Sequence, residues 1–282
     1  MNRTRILVST LLLGLSVAAC GEPRSPRGDF ILIVAHTPPT SPSPHFDRLA
    51  ESGLVFEGDL LGQNEPGATT TEILAEVLTG KRLGQEGGVL YETPPVLPMS
   101  ARLAGYRVLG STNDAAVIDD LGLADSFDYG LFGGEREGEE PGQTIAQSIS
   151  EGAAEALATL TADYKVLGVT RAPILFFGDL THAAEPHALE NLLTALASEL
   201  LVGVTGGEST PTTVVILFLG QGSPTRAILA GRDIQARHTT DGVDPRDVFP
   251  TIARRAGIPA TALLRGVNVP SYLAGRNLLD GE

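Results

Sequence analysis

The sequence predicts an α/β fold, with a doubly wound, mostly parallel sheet and helices on both of its faces. Residues 30–34 form one unbroken apolar run, and residues 213–219 (TVVILFL) contain a second. Such continuous runs are typical of strands buried on both faces of a parallel sheet. Between them lie helix-like segments such as residues 69–78, where apolar side chains recur at i,i+4 spacing. This alternation favours a single sheet domain.

Local signals place the other elements. The predicted helices cover residues 44–53, 69–78, 96–104, 144–164, 188–201 and 244–256. The predicted strands cover residues 30–34, 54–56, 106–110, 173–178, 213–219 and 226–230. Proline near the start and glycine at the end favour the helices at 44–53 and 244–256. The charged segment 133–142 (GGEREGEEPG) is predicted to be a surface loop.

Composition limits the kinds of partner. The chain has 282 residues, 42% of them hydrophobic, which is enough for a large core. Its formal net charge is −14, and the acidic residues are spread along the chain. A nucleic-acid surface needs clustered Lys and Arg, so nucleic acid is not an expected partner. The acidic residues are expected to form a solubilising surface.

The first twenty residues predict export and a lipid anchor. Two arginines precede an apolar stretch at residues 6–19, which is too short for a transmembrane span. Cys20 follows two alanines, resembles the modified cysteine of a bacterial lipobox, and is the only cysteine of the chain. Acyl chains there would anchor the protein to the inner or outer membrane of the cell envelope. Residues 21–28 then form a tether, and residues 29–282 form the domain.

The order of the segments resembles the sulfatase branch of the alkaline-phosphatase superfamily. The segments that carry the likeness are 43–54 (SPHFDRLAESGL), 76–81 (EVLTGK), 104–107 (AGYR), 122–128 (GLADSFD) and 247–259 (DVFPTIARRAGIP). They occur in the family's order and cover nearly all of residues 29–277. The resemblance implies the sulfatase-like α/β fold and, where a site is intact, hydrolysis of sulfate or phosphate esters.

The same resemblance implies a divalent metal held by hard oxygen ligands after the first strand and after the strand at residues 213–219. The corresponding positions here are His36 and Thr37, and Gly220 and Gln221. None of the four carries a carboxylate. We therefore expect no metal cofactor and a degenerate site.

The remaining candidate site residues come from the same resemblance. Thr70 falls at the nucleophile position, and His182 follows the strand at residues 173–178 as a histidine does in the family. His36 and Asp179 are candidate substrate-binding residues. A threonine nucleophile needs a base or a metal to activate it. The other interpretation is that Thr70 and its neighbouring threonines cap a helix.

Two functional hypotheses remain open at this point. The first is an envelope lipoprotein whose sulfatase-like domain has lost catalysis and has a binding or structural role. The alternative is a metal-dependent hydrolase of sulfate or phosphate esters with a site rebuilt from His36, Thr70, Asp179 and His182. Under that alternative, the imidazoles and the carboxylate favour zinc or manganese. The sequence does not specify a substrate or a protein or glycan partner.

Overall fold

The structure is a computed structural model that describes about two thirds of the chain. The described residues are 28–61, 69–80, 96–112, 118, 123–132, 150–159, 162, 172–181, 183, 187–198, 200–201, 204, 211–220, 224–258 and 278–279. The predicted signal peptide, the tether, the loop at 133–142, and the candidate residues Cys20, His182 and Gln221 lie outside them. Within the described ranges, none of the helices has the length and apolarity needed to cross a membrane.

One eight-stranded sheet organises the described residues. Its strands are β1 (Asp29–Ala35), β2 (Leu54–Phe56), β3 (Arg107–Thr112), β4 (Tyr129–Phe132), β5 (Ile174–Leu180), β6 (Thr212–Phe218), β7 (Ala227–Gly231) and β8 (Arg237–Thr239). Their spatial order is β4-β3-β5-β1-β6-β7-β2-β8. Strand β7 is antiparallel to both of its neighbours, and the other pairs are parallel. The predicted mostly parallel α/β sheet is therefore confirmed.

Five α-helices have defined bounds among the described residues. They are α1 (Pro44–Ser52), α2 (Thr70–Thr79), α3 (Leu97–Leu103), α4 (Ala188–Ala197) and α5 (Val248–Ala256). Residues 150–159 form a further helical segment within the predicted helix at 144–164. Short 3-10 helices occur at Ala124–Ser126 and Pro245–Asp247. Helix α4 ends four residues before the prediction, because the chain turns at Ser198.

Strand β1 lies at the centre of the sheet and explains its own apolar run. Alternate side chains of a strand point to opposite faces. Phe30 and Leu32 belong to one buried hydrophobic cluster, and Ile31 and Ile33 belong to a second cluster on the other face. All seven residues of β1 are buried. Helices cover both faces, so every position of this strand needs an apolar or hydrogen-bonded side chain.

The start of the late helix differs from the prediction in its detail. Residues 245–247 form a 3-10 turn, and the α-helix begins only at Val248. The predicted N-cap residue Asp244 does cap this segment, since its carboxylate accepts a hydrogen bond from the Arg246 backbone N–H at 3.0 Å. The Arg246 side chain also donates to the same carboxylate, which raises the pKa of the guanidinium above its ordinary value.

Candidate functional site at the carboxyl edge of the sheet

The candidate site lies where β1 and β6 end side by side. In open α/β sheets, ligands bind beyond the carboxyl ends of the strands. Here the Gly220 N–H donates a hydrogen bond to the His36 carbonyl at 2.6 Å, so the chain segments after β1 and β6 touch. A Cβ atom at residue 220 would lie only 2.5 Å from that carbonyl oxygen. The position therefore has no room for a side chain unless the backbone moves.

The residues at this edge do not fit the metal that the family resemblance implies. Gly220 has no donor atom, and His36 and Thr37 are both exposed to solvent and carry no carboxylate. Across the described residues, no group of three or more His, Cys, Asp or Glu side chains is arranged to hold a metal ion. Hard divalent cations in proteins take several oxygen ligands, usually with carboxylates among them. The donors that the structure describes at this edge therefore do not make such a site.

A small cavity opens between the ends of β1 and β5. Its volume is about 90 Å³. It is lined by residues 35–40, by Leu180 and Ala183, and by the first two residues of α4, Ala188 and Leu189. Ligand pockets usually enclose about 300–1,000 Å³, and one water takes about 30 Å³ of liquid volume. The cavity therefore has room for a few waters, but an aryl ester does not fit in it.

Asp179 lies inside β5, where sequence reasoning placed it in a loop after the strand. Its side chain is completely buried. One carboxylate oxygen accepts a hydrogen bond from the Thr112 hydroxyl at 2.6 Å. The other accepts from the Thr181 hydroxyl at 2.7 Å and from the Thr181 backbone N–H at 2.9 Å. These donors hold the carboxylate in the sheet, so it connects β3 to β5 and does not face an open substrate site.

The threonines before α2 cap that helix. Thr69 is the N-cap residue, and its hydroxyl accepts a hydrogen bond from the Glu72 N–H at 3.2 Å. The Glu72 carboxylate in turn accepts from the Thr69 N–H at 2.7 Å, which completes a capping box. Thr70 is the first residue of the helix and is partly buried. Among the described residues, no hydrogen bond joins Thr70 to His36 or to Asp179.

Of the four residues of the rebuilt-site hypothesis, the structure brings no two together by a described contact. His36 lines the small cavity, Asp179 is enclosed in β5, and Thr70 begins α2. His182 lies outside the described residues.

Sequence reasoning missed Arg226, which lies at the same edge. Its side chain is buried, with 8% of its surface exposed. The guanidinium donates to the Gly220 carbonyl, and the Arg226 backbone N–H donates to the Phe56 carbonyl at 2.7 Å. Arg226 therefore fastens the end of β6 to the end of β2. An arginine just before an apolar strand gives no sequence signal for this role.

A second missed residue, Glu190, stabilises the start of α1 from α4. Its carboxylate accepts hydrogen bonds from the His45 backbone N–H at 3.2 Å and from the Phe46 backbone N–H at 3.4 Å. It also pairs with the His45 ring at 2.8 Å. A helix N-terminus leaves backbone N–H groups without intrahelical partners, and a carboxylate satisfies them well. This contact joins residues 145 apart in sequence, so no local pattern could reveal it.

The arrangement of this sheet and its helices is the sulfatase-like α/β fold of the alkaline-phosphatase superfamily. Many solved structures share it. One is described as a protein of that superfamily from Vibrio parahaemolyticus, with a TM-score of 0.52 and 12% identity over 91% of this chain and 71% of the other. No protein-family profile and no curated protein sequence matches the chain.

Two further solved structures carry this fold with known chemistry. The sulfatase PsFucS1 from a Pseudoalteromonas species matches with a TM-score of 0.52 and 13% identity, covering 98% of this chain and 77% of the other. The phosphonate monoester hydrolase SpPMH from Silicibacter pomeroyi matches with a TM-score of 0.51 and 11% identity, covering 89% and 76%. These neighbours agree with the expectation that any activity of this chain would be hydrolysis of sulfuric or phosphoric esters.

Proposed function

We propose that this chain is an exported, lipid-anchored protein whose sulfatase-like domain has no ester hydrolase activity and has a binding or structural role at the cell envelope. The observation that carries the proposal is the contact of Gly220 with the His36 carbonyl. The family resemblance implies a metal-binding carboxylate at that position, and here the neighbouring strand end occupies its space.

The other described groups of the edge support the same conclusion. A hydrolase of this class needs an activated nucleophile and a cation to stabilise the charge that develops on the ester oxygens. Thr70 lies beside a threonine that caps the helix, and the nearest acid of that segment, Glu72, is held in the capping box. The Asp179 carboxylate is already bonded to two threonines. A nucleophile without a base or a metal is not activated.

Elemental analysis and an ester assay test the loss of catalysis. Full-chain protein purified in detergent is analysed for calcium, magnesium, manganese and zinc, and is then assayed with nitrophenyl sulfate and nitrophenyl phosphate, with each metal supplied in turn. We expect no stoichiometric metal, and turnover no higher than that of the detergent buffer. One bound metal per chain, together with turnover that Thr70→Ala or His182→Ala abolishes, would contradict the proposal and support the rebuilt hydrolase.

Membrane fractionation tests the anchor. Cys20→Ala is expected to release the protein from membranes washed in high salt, because the acyl chains supply the binding free energy. Ser16→Ala is the matched control, since it changes the same apolar segment and keeps the cysteine. If Cys20→Ala protein still sediments with membranes as the wild type does, lipid at Cys20 is not what holds it.

A further inference from the structure

A second cavity lies far from the β1–β6 junction, near the edge of the sheet. It opens between β3, β4 and the helical segment 150–159, and its volume is about 190 Å³. Leu109 and Phe176 form its apolar floor, and Ala153 and Ala156 face them from the helical segment. Gly152 also lines the cavity and contributes no side chain to fill it.

Ser111 gives this cavity a polar group. The residue lines the cavity and is 99% buried, with 1% of its surface exposed. No group of the described residues forms a hydrogen bond with its hydroxyl. The residue opposite it on β5 is Gly178, which offers no side chain as a partner. A buried hydroxyl without a partner destabilises the fold, so the position favours a bound molecule that supplies the partner.

The rim of the cavity limits the charge of that molecule. Glu155 and Tyr129 lie there, and both are exposed to solvent. No Lys, Arg or His lines the cavity. Sulfate and phosphate esters are therefore poor ligands, since they would meet one carboxylate and no cation. The cavity is in this respect unlike the anion site expected of a sulfatase.

Its volume limits the size of the molecule. A cavity of ~150 Å³ in another protein holds benzene, and this one, at about 190 Å³, is somewhat larger. It therefore has room for one six-membered ring and one small substituent. An aromatic ring suits a floor that includes Phe176, because offset and edge-on ring contacts add to simple apolar burial.

We propose that this cavity binds an uncharged single-ring aromatic molecule whose hydroxyl forms a hydrogen bond with Ser111. The ring lies against Leu109 and Phe176, and its outer edge faces Tyr129. The Ser111 hydroxyl can donate or accept, so it pairs with a phenolic hydroxyl in either direction. A ligand of this size binds in the millimolar range.

Equilibrium dialysis with phenol tests the proposal. Full-chain protein in detergent is dialysed against labelled phenol, toluene or benzoate, and micelles without protein correct for uptake into the detergent. We expect one phenol per chain, binding about tenfold weaker for toluene, and none for benzoate. Ser111→Ala should weaken phenol binding by about tenfold and leave toluene binding unchanged, because only phenol loses a hydrogen bond.

Two further variants make the result specific. Ser126→Ala removes the other buried hydroxyl that has no partner among the described residues, but Ser126 does not line the cavity. It should leave phenol binding at the wild-type level. Ala156→Leu fills the cavity and should abolish binding of both phenol and toluene.

Either of two results would overturn the proposal. One is phenol binding that Ser111→Ala and Ala156→Leu leave unchanged, which would place the ligand elsewhere. The other is no binding above the micelle blank, together with equal rises in Tm for Ser111→Ala and Ser126→Ala. That outcome would show that the Ser111 hydroxyl meets water alone.

Discussion

The interior of the central strands and their carboxyl ends differ sharply, although they are only a few residues apart. Inside the sheet, Ile33 pairs with Ile216 across the parallel β1–β6 ladder, and both side chains are completely buried. At the end of the same ladder, His36 is exposed, and its carbonyl accepts the N–H of Gly220. The interior retains the burial that the sulfatase-like fold requires, and the end lacks the groups that its chemistry requires.

The difference shows that fold and site depend on separate residues. Burial and strand pairing act through apolar side chains and the backbone, so they persist whatever groups follow the strands. Catalysis acts through a few side chains at the strand ends, and their replacement leaves the sheet intact. A structural likeness to sulfatases is therefore a statement about the interior of this sheet.

The strongest way to break the comparison is to place a charge in the interior. Ile216→Asp in β6 would bury a carboxylate that has no partner, and we expect it to lower the free energy of unfolding by more than about 4 kcal/mol. Thermal or urea unfolding of the full chain in detergent measures the loss. Ile216→Val is the matched control, with an expected cost of about 1 kcal/mol. Stability like that of the wild type in Ile216→Asp would move β6 to the surface.

The interior was also the part that sequence alone predicted best. The apolar runs predicted β1 and β6 to within two residues at each end, and glycine correctly ended α2 and α5 at Gly80 and Gly257. Both glycines adopt the left-handed conformation that other residues avoid. These elements follow local rules, namely apolar periodicity and helix capping, which are legible in a single sequence.

The edges of the sheet follow no such rules. Strand β8 reads RHT and is largely exposed, and β4 is four residues long and contains a glycine, so neither has an apolar run to reveal it. Each is held by pairing with a strand that is distant in sequence or by packing. Sequence alone predicted neither strand, because tertiary contacts fix them.

The candidate site was the hardest part to predict, for the same reason. The position of Asp179 after an apolar run made it a plausible loop residue. Its true surroundings depend on Thr112, which lies 67 residues earlier in the chain. The register of β3 against β5 brings the two residues opposite one another. Sequence could identify the chemistry that the positions lack, but it could not show which of the remaining groups are already bonded.

A sharper test separates the closed strand end from an open one. Gly220→Ala adds only a Cβ atom, which would lie 2.5 Å from the His36 carbonyl oxygen. The backbone of β1 or β6 would have to shift, and we expect a loss of about 2–3 kcal/mol in the free energy of unfolding, as for overpacking in a core. Chemical unfolding monitored by circular dichroism measures it.

Gly231→Ala is the matched control for this test. Gly231 ends β7, and an added Cβ would lie 3.2 Å from its nearest neighbours, which a small adjustment accommodates. We expect it to cost less than about 1 kcal/mol. Equal effects of the two substitutions would show that the end of β6 has room for a side chain, and would remove the main support for the loss of the metal site.

The smallest expected effect distinguishes a helix cap from a nucleophile. Thr69→Ala removes the hydroxyl that accepts the Glu72 N–H, and loss of such a cap costs about 1 kcal/mol. Thr70→Ala changes the first helical residue, whose hydroxyl has no hydrogen bond among those described, so stability should stay within about 0.5 kcal/mol of wild type. The two threonines are adjacent and chemically identical, so each variant serves as the control for the other in thermal unfolding. A nucleophile would reverse the pattern of interest: Thr70→Ala would abolish ester turnover, and Thr69→Ala would reduce it only as far as it loosens the helix. Loss of stability in Thr70→Ala equal to that in Thr69→Ala would contradict the assignment of the cap to Thr69 alone.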